Sequence, residues 1–233
     1  MPDADWSNLA GKFLVLDGGE GCGKSTQCKR LAGFLSERGL AVRTVRDPGG
    51  TPVSEKVRDL LLDPANDAMA MRCEMLLYMA ARAQLVAEVI APALDGGEVV
   101  LSDRFISSTL AYQLGGDGLS AGDIESVASV AVGGRWPDLT IVLDVPTSVA
   151  RERHVPKMVL FDGAPDTDLD RIERRPADYH EQVRRNYLAQ ARENPGRYAV
   201  VDAGQSIDDA FDDVLAAARR LCQTSNSGDT DVQ

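Results

Sequence analysis

Short, wholly apolar runs alternate along this chain with longer stretches in which apolar residues return at helical spacing. Residues 13–16 form the first run and predict a strand buried on both faces. Residues 24–38 follow as a helix, with Leu31, Phe34 and Leu35 on one side and Gly39 placed to cap it. A second strand is expected at 41–45, and Pro52 opens a helix running to Leu62. From 68 to 94 Met71, Met75, Leu76, Met79, Leu85, Val86, Val89 and Ile90 keep one helical period, the methionines as core filler. Strands at 98–102, 139–143 and 198–201 alternate with helices at about 107–113, 120–132, 149–153, 176–193 and 207–222. Three stretches lack a period. Residues 1–10 read as a loose lead-in, 154–169 as a flexible loop with Pro156, Gly163 and Pro165, and 225–233 as a disordered polar tail. Strict alternation of strand and helix predicts an α/β three-layer sandwich: a five-stranded parallel sheet wrapped by helices on both faces. The expected organisation is one domain over 11–222, with a mobile lid at about 151–170, a lead-in at 1–10 and a tail at 223–233.

The first strand runs into Asp17-Gly18-Gly19-Glu20-Gly21-Cys22-Gly23-Lys24-Ser25-Thr26, which fits the phosphate-binding pattern G-x-x-x-x-G-K-[ST]. Glycines allow positive φ, so several backbone N–H groups can turn into one cavity. The helix that follows aims its free N–H groups and positive dipole end at the same place. Lys24 supplies a mobile cation for the β- and γ-phosphates, and the Ser25 hydroxyl is a Mg²⁺ ligand in this pattern. Strand before and helix after are the context the motif requires. In parallel sheets ligands bind beyond the carboxyl ends of the strands. The loop, Arg46-Asp47, Asp103-Arg104, Asp144 and Asp202 all fall there, and are expected to converge on one crevice.

Composition narrows the partners. The chain has 233 residues and a formal net charge of −11, which argues against a general nucleic-acid binder but not against a local phosphate site. Cys22, Cys28, Cys73 and Cys222 make neither C-x-x-C nor zinc spacing, so free thiols in a reducing compartment are expected. No leader-like stretch opens the chain and no uninterrupted apolar run approaches membrane length, so a cytoplasmic protein without a membrane partner is expected.

Five blocks, in order, resemble the thymidylate kinase family from about Lys12 to Leu215. They are the loop at 17–27; Arg46-Asp47-Pro48-Gly49-Gly50-Thr51; Leu77-Tyr78-Met79-Ala80-Ala81-Arg82-Ala83-Gln84; the run from Ser102 to Gln113; and Leu169-Asp170-Arg171-Ile172-Glu173. The second and fourth blocks together are specific, whereas the loop alone is common to many NTPases. The resemblance implies transfer of the γ-phosphoryl of ATP to dTMP with Mg²⁺, and a homodimer. It implies that Gly18, Gly19, Glu20, Gly21, Cys22, Gly23, Lys24, Ser25 and Thr26 bind ATP, joined by Arg151. It implies that Arg46 and Arg104 hold the acceptor phosphate, for which a bidentate guanidinium is suited. Tyr78 and Arg82 share a helix face, a ring to stack on a base and a donor for its carbonyl. Thr109 matches a position at the base edge, and Tyr112 one that crowds the 2′ position. Asp47, Pro48, Ser108 and Gln113 complete the acceptor set. Glu20 matches an acid beside the sugar 3′-hydroxyl. Asp103 ends a strand as a Mg²⁺-associated carboxylate would, or else orients Arg104. The long 68–90 segment is either the dimer face or core.

The sequence also departs from the family. Asp17 stands where Glu is usual, Tyr78 where Phe is usual, and the lid is poor in arginine. Gly21 occupies a position where one subtype carries a catalytic Arg. The expected substitutes are Arg153 first, then Arg151 and Lys157. Two other readings stay open: a kinase for a different nucleotide, and a nucleotide-dependent switch, although the guanine-reading N-K-x-D motif is absent.

Overall fold

A computed structural model describes residues 5–153 and 170–224. Five strands form one sheet: β1 (Phe13–Gly18), β2 (Val42–Arg46), β3 (Val99–Asp103), β4 (Leu139–Asp144) and β5 (Tyr198–Asp202). Their order is β2-β3-β1-β4-β5 and every neighbouring pair is parallel. The described helices are α1 (Lys24–Ser36), α2 (Pro52–Leu62), α3 (Met71–Leu85), α4 (Ala91–Asp95), α5 (Ile106–Tyr112), α6 (Ala121–Val132), α7 (Thr147–Arg153), α8 (Ala177–Glu193) and α9 (Ile207–Thr224). The expected α/β sandwich is the observed one.

Strand periodicity divides the core in two. Leu14 and Leu16 of β1 face one side, where they join Leu31 and Leu35 of α1 and Val214 and Ala218 of α9. Phe13 and Val15 face the other, with Met75 and Met79 of α3 and Ile124 and Ala128 of α6. Each such aliphatic side chain contributes about 1.5–3 kcal/mol on burial. Two-sided burial holds for β1 and for nearly all of β3 and β4. The edge strands β2 and β5 instead expose several residues, because each has a neighbour on one side alone.

Helix ends follow local chemistry. The chain leaves α1 through a Schellman turn: Gly39 has φ 82°, its N–H donates to Ser36 O (3.0 Å), and Leu40 N–H donates to Leu35 O (3.2 Å). Ser120 and Asp123 close a capping box at the start of α6.

Three expectations need correction. The lead-in is not loose throughout: Trp6–Leu9 is a 3₁₀ turn, with Trp6 and Leu9 buried and the Trp6 ring edge-on to Phe34 at 5.1 Å. The 68–94 helix begins at Met71 and is not uniform. A π-helical turn, Val86–Ile90, joins α3 to α4, just ahead of Pro92, which has no N–H to continue the ladder. Finally, α9 runs to Thr224, two residues into the stretch expected as tail. The 154–169 loop and the 225–233 tail lie outside the described residues. By length and composition the helix Met71–Asp95 is apolar enough to cross a bilayer. Here it packs between α2 and α6 and carries buried Glu74 and Arg82.

Candidate active site

The sheet delivers its site residues side by side. Leu16 is in register with Asp103, and Asp103 with Arg46, so the ends of β1, β3 and β2 sit in a row. From β1 the chain enters the glycine-rich loop, where Gly18, Gly21 and Gly23 all have positive φ. Gly23, at φ 91°, is the N-cap of α1 and has no side chain to offer, so the helix's first N–H groups stay open to a phosphate. Lys24 is buried, and its Nζ donates to Gly19 O (2.7 Å) and Gly18 O (3.3 Å), folded over the loop with Cys22 Sγ at 3.6 Å. A Cβ on Gly21 would lie 2.6 Å from Ala150 O of α7. The loop thus has no room for an arginine there unless α7 shifts, which is a structural reason for the glycine.

Ser25 Oγ, on the first turn of α1, donates to Asp103 Oδ2 at 2.6 Å. A hydroxyl and a carboxylate, both hard oxygen donors, meet beside the phosphate loop. Among the described residues no three His, Cys, Asp or Glu side chains group as a metal cage. This donor set suits Mg²⁺, which keeps its waters and leans on substrate phosphates.

Arg104 is at φ 73°, a conformation that costs a non-glycine residue of order 1–3 kcal/mol. That turn swings its guanidinium back over β1. There it bonds the Glu20 carboxylate, Gly18 O (3.2 Å), Ser108 Oγ (3.1 Å), Tyr187 Oη (3.3 Å) and Tyr112 Oη (3.4 Å). Beneath it Asp17 is wholly buried and accepts from Ser107 (2.5 Å), Tyr187 (2.6 Å), Ser108 (2.7 Å) and its own neighbour's amide, Gly18 N (2.9 Å). Burial by itself would lower the Arg104 pKa. Glu20, Tyr112, Tyr187 and Asp17 outweigh it and hold the group well above its ordinary value. Burial likewise pushes the phenols of Tyr112 and Tyr187 well up, so both stay protonated donors.

Next to Arg104 lies a cavity of about 140 Å³. The α3–α5 side contributes Tyr78, Arg82, Ser108, Thr109, Tyr112 and Gln113; the loops contribute Glu20, Asp47 and Pro48; α2 contributes Arg58 and Leu62; and Asp170, Ile172 and Glu173 close the far side. Arg82 is buried against Asp47 (2.5 Å) and also donates to Phe105 O (3.0 Å) and Thr109 Oγ1 (3.2 Å). Burial drives the Asp47 carboxyl upward and Arg82 opposes it; the net direction is up. Gln113 donates to Glu74 (2.8 Å), a carboxylate that also takes Arg171 and Arg175. Burial lowers the Arg58 pKa, with Arg46 adding to it, and raises that of Asp170.

Most residues singled out in the sequence are therefore together, but not all: Asp144 instead pairs with Arg184 (2.7 Å), and Asp202 accepts from the Gly204 amide (2.7 Å). Arg46 is exposed, turned onto Glu55 (3.1 Å), and is not among the cavity's walls. Arg153 donates to Ala203 O (2.6 Å) and Gly204 O (3.3 Å), on the turn after β5, two strands from the loop. The Arg151 side chain and Lys157 lie outside the described residues. Sequence reading missed Tyr187, Glu74, Arg58 and the 170–173 wall as site components. Glu74 carried a signal, since it stands four residues before Tyr78 and eight before Arg82 on one helix. Tyr187 carried none: it reaches Asp17 from 170 residues away.

Sheet order, phosphate loop and a neighbouring arginine-lined cavity define a P-loop enzyme that handles two phosphorylated ligands. The thymidylate kinase family model matches residues 16–214, and the chain belongs to that family. A thymidylate kinase of Pseudomonas putida is 45% identical over 208 residues, covering 89% of this chain and 95% of that one. One of Desulforudis audaxviator is 43% identical, covering 92% and 93%. Among solved structures, thymidylate kinase from Ehrlichia chaffeensis aligns with a TM-score of 0.66 at 27% identity, covering 88% of this chain and 96% of that chain.

Proposed function

We propose that this crevice is where the γ-phosphoryl of ATP passes to dTMP, giving ADP and dTDP, with the donor on the glycine-rich loop and the acceptor in the α3–α5 cavity. The observation that carries the reading is Arg104, held between the phosphate loop and the cavity with its guanidinium mostly buried. A phosphate monoester has a second pKa of about 6, so the acceptor arrives as a dianion and no general base is required. Positioning two anions and neutralising charge is the remaining task. Lys24 and the α1 N-terminus serve the donor's phosphates, and Arg104 the acceptor's, with Arg58 from the cavity wall. Ser25 and Asp103 would hold Mg²⁺, which when bound neutralises charge across the donor's β- and γ-phosphates. Arg46 serves the acceptor phosphate once it leaves Glu55. Arg153 would have to leave the carbonyls of Ala203 and Gly204 to reach the transferred group.

Within the cavity Tyr78 offers a ring face and Arg82 a buried donor, a combination that suits a pyrimidine carbonyl. Tyr112, braced by Glu20 (3.1 Å), narrows the sugar end and favours a deoxyribose. A coupled assay with ATP should show turnover on dTMP well above dUMP, dCMP and dGMP. Preference for a ribonucleotide would overturn the assignment, and hydrolysis with no acceptor phosphorylated would favour a switch protein.

We also infer a homodimer. Leu76 of α3, Val53 and Leu60 of α2 and Val130 of α6 are large apolar side chains left exposed on helices that pack together. Leu76→Glu is expected to halve the mass seen by light scattering; an unchanged mass would move the interface elsewhere. The free thiols Cys22, Cys28, Cys73 and Cys222 suit a reducing cytoplasm.

A further inference from the structure

We infer that Glu74 dictates which end of the Gln113 amide faces the acceptor cavity, and thereby makes the cavity selective for a ring that shows a carbonyl beside an N–H. The inference rests on the assignment of a pyrimidine nucleotide to that cavity.

Glu74, Tyr78 and Arg82 stand at i, i+4 and i+8, one stripe along α3. Facing them, Thr109 and Gln113 stand at i and i+4 at the end of α5. Two hydrogen bonds join the stripes: Arg82 Nη1 to Thr109 Oγ1 (3.2 Å) and Gln113 Nε2 to Glu74 Oε1 (2.8 Å). At 1.5 Å per residue the rungs are about 12 Å apart along α3 and about 6 Å along α5. The cavity lies beside these rungs, with Tyr78, Arg82, Thr109 and Gln113 in its wall.

A glutamine amide can present either its NH₂ or its carbonyl, and its orientation is set by its hydrogen-bond partners. Glu74 removes the choice. It is completely buried, and its Oε2 is taken by the guanidiniums of Arg171 and Arg175 (2.6 Å). A carboxylate held that way can only accept. The NH₂ of Gln113 must turn toward it, which leaves the Gln113 carbonyl for the cavity. Arg82, on the next rung and lining the same cavity, has no acceptor atom and can only donate. The wall thus displays a donor and an acceptor. An imide edge, C4=O beside N3–H, meets both. The corresponding edge of cytosine, an amine beside a bare ring nitrogen, sets donor against donor and acceptor against acceptor. Sites built this way reject the mismatched ligand because buried polar groups would go unpaired. Glu74 is a positioning residue here: it acts through Gln113 and touches no ligand.

The rival explanation is that Glu74 only anchors the segment after residue 169, since Arg171 also donates to Leu61 O (2.9 Å). The two differ in what they do to selectivity. Glu74→Gln keeps the shape, but Arg171 and Arg175 hold the new amide's oxygen, so its NH₂ faces Gln113 and turns the Gln113 carbonyl away from the cavity. Calorimetric titration of the folded variant should show dTMP affinity down roughly tenfold or more and dCMP affinity unchanged or higher, with KM for ATP unmoved. Arg171→Met, which loosens the anchor and leaves the amide instructed, should weaken both nucleotides alike. Equal losses of dTMP and dCMP in Glu74→Gln, or a changed ratio in Arg171→Met, would overturn the inference. The wild-type enzyme gives a test that needs no variant to fold. With ¹⁵N3-labelled dTMP, the imide proton should be protected from solvent exchange in the complex, and free exchange would equally overturn it. If wild type itself binds dTMP no better than dGMP, the pyrimidine assignment falls first; equal binding of dTMP and dCMP by wild type overturns the inference alone.

Discussion

Lys24→Met is expected to lower kcat at least 10²- to 10³-fold while the folded state persists. Nζ is held by two backbone carbonyls of its own loop, so the cation is in place before substrate arrives. Removing one preorganised donor from an oxyanion-stabilising site costs about 2.7–4 kcal/mol of transition-state stabilisation, and the same order is expected where charge develops on a transferred phosphoryl group. Methionine keeps the unbranched stem that fills the buried channel, so the loss is one of charge and donors rather than of packing. Single-turnover assays at saturating ATP, with circular dichroism to confirm folding, make the comparison. Turnover near wild type in a folded variant would remove the glycine-rich loop from the mechanism.

The second large effect is expected at Arg104. Arg104→Lys keeps the charge but not the fork that engages Glu20, Ser108, Tyr112 and Tyr187 together. Hydrogen bonds to charged groups are each worth about 1.5–3 kcal/mol, so kcat/KM for dTMP should fall roughly 10²-fold or more, with KM for ATP little changed. Arg104→Met should go further and also destabilise the fold. Asp17 is wholly buried 3.6 Å from this guanidinium, and the variant would leave it no counter-charge. A rise in KM for ATP equal to that for dTMP would place Arg104 on the donor side instead. These readouts separate the two ends of the crevice, which the tight spacing of β1 and β3 otherwise blurs.

The limits of sequence reading show most clearly in the arginines. Arg46 and Arg104 both follow strands and both matched the family's acceptor-phosphate positions, yet only Arg104 lies over the cavity; Arg46 turns out to Glu55. Nothing local to either residue separates them. The difference is that β3 is an interior strand whose end abuts the loop after β1, whereas β2 is the sheet's edge. Arg153 sits on a helix as expected, but its partners come from the turn after β5, which no spacing rule reaches. The lead-in shows the reverse case. Trp6 and Leu9 are apolar enough to have signalled burial, but a four-residue 3₁₀ turn has no period to detect.

By itself the sequence determined what depends on neighbours in the chain. Apolar runs and helical spacing specified five parallel strands and the helices between them, because a strand covered on both faces is a short unbroken apolar run and burial on a helix face follows a period of 3.6. The glycine spacing specified the phosphate loop, because only positive φ lets consecutive amides converge. The resemblance of five blocks specified the family. Tertiary structure alone decided which charges are spent on each other and which are left for ligands. Asp17 is satisfied by two serines and a tyrosine from α8, Glu74 by two arginines from beyond residue 169, and Arg82 by Asp47. Those pairings join elements 35 to 170 residues apart. They are set by strand order and helix packing, which no local pattern encodes.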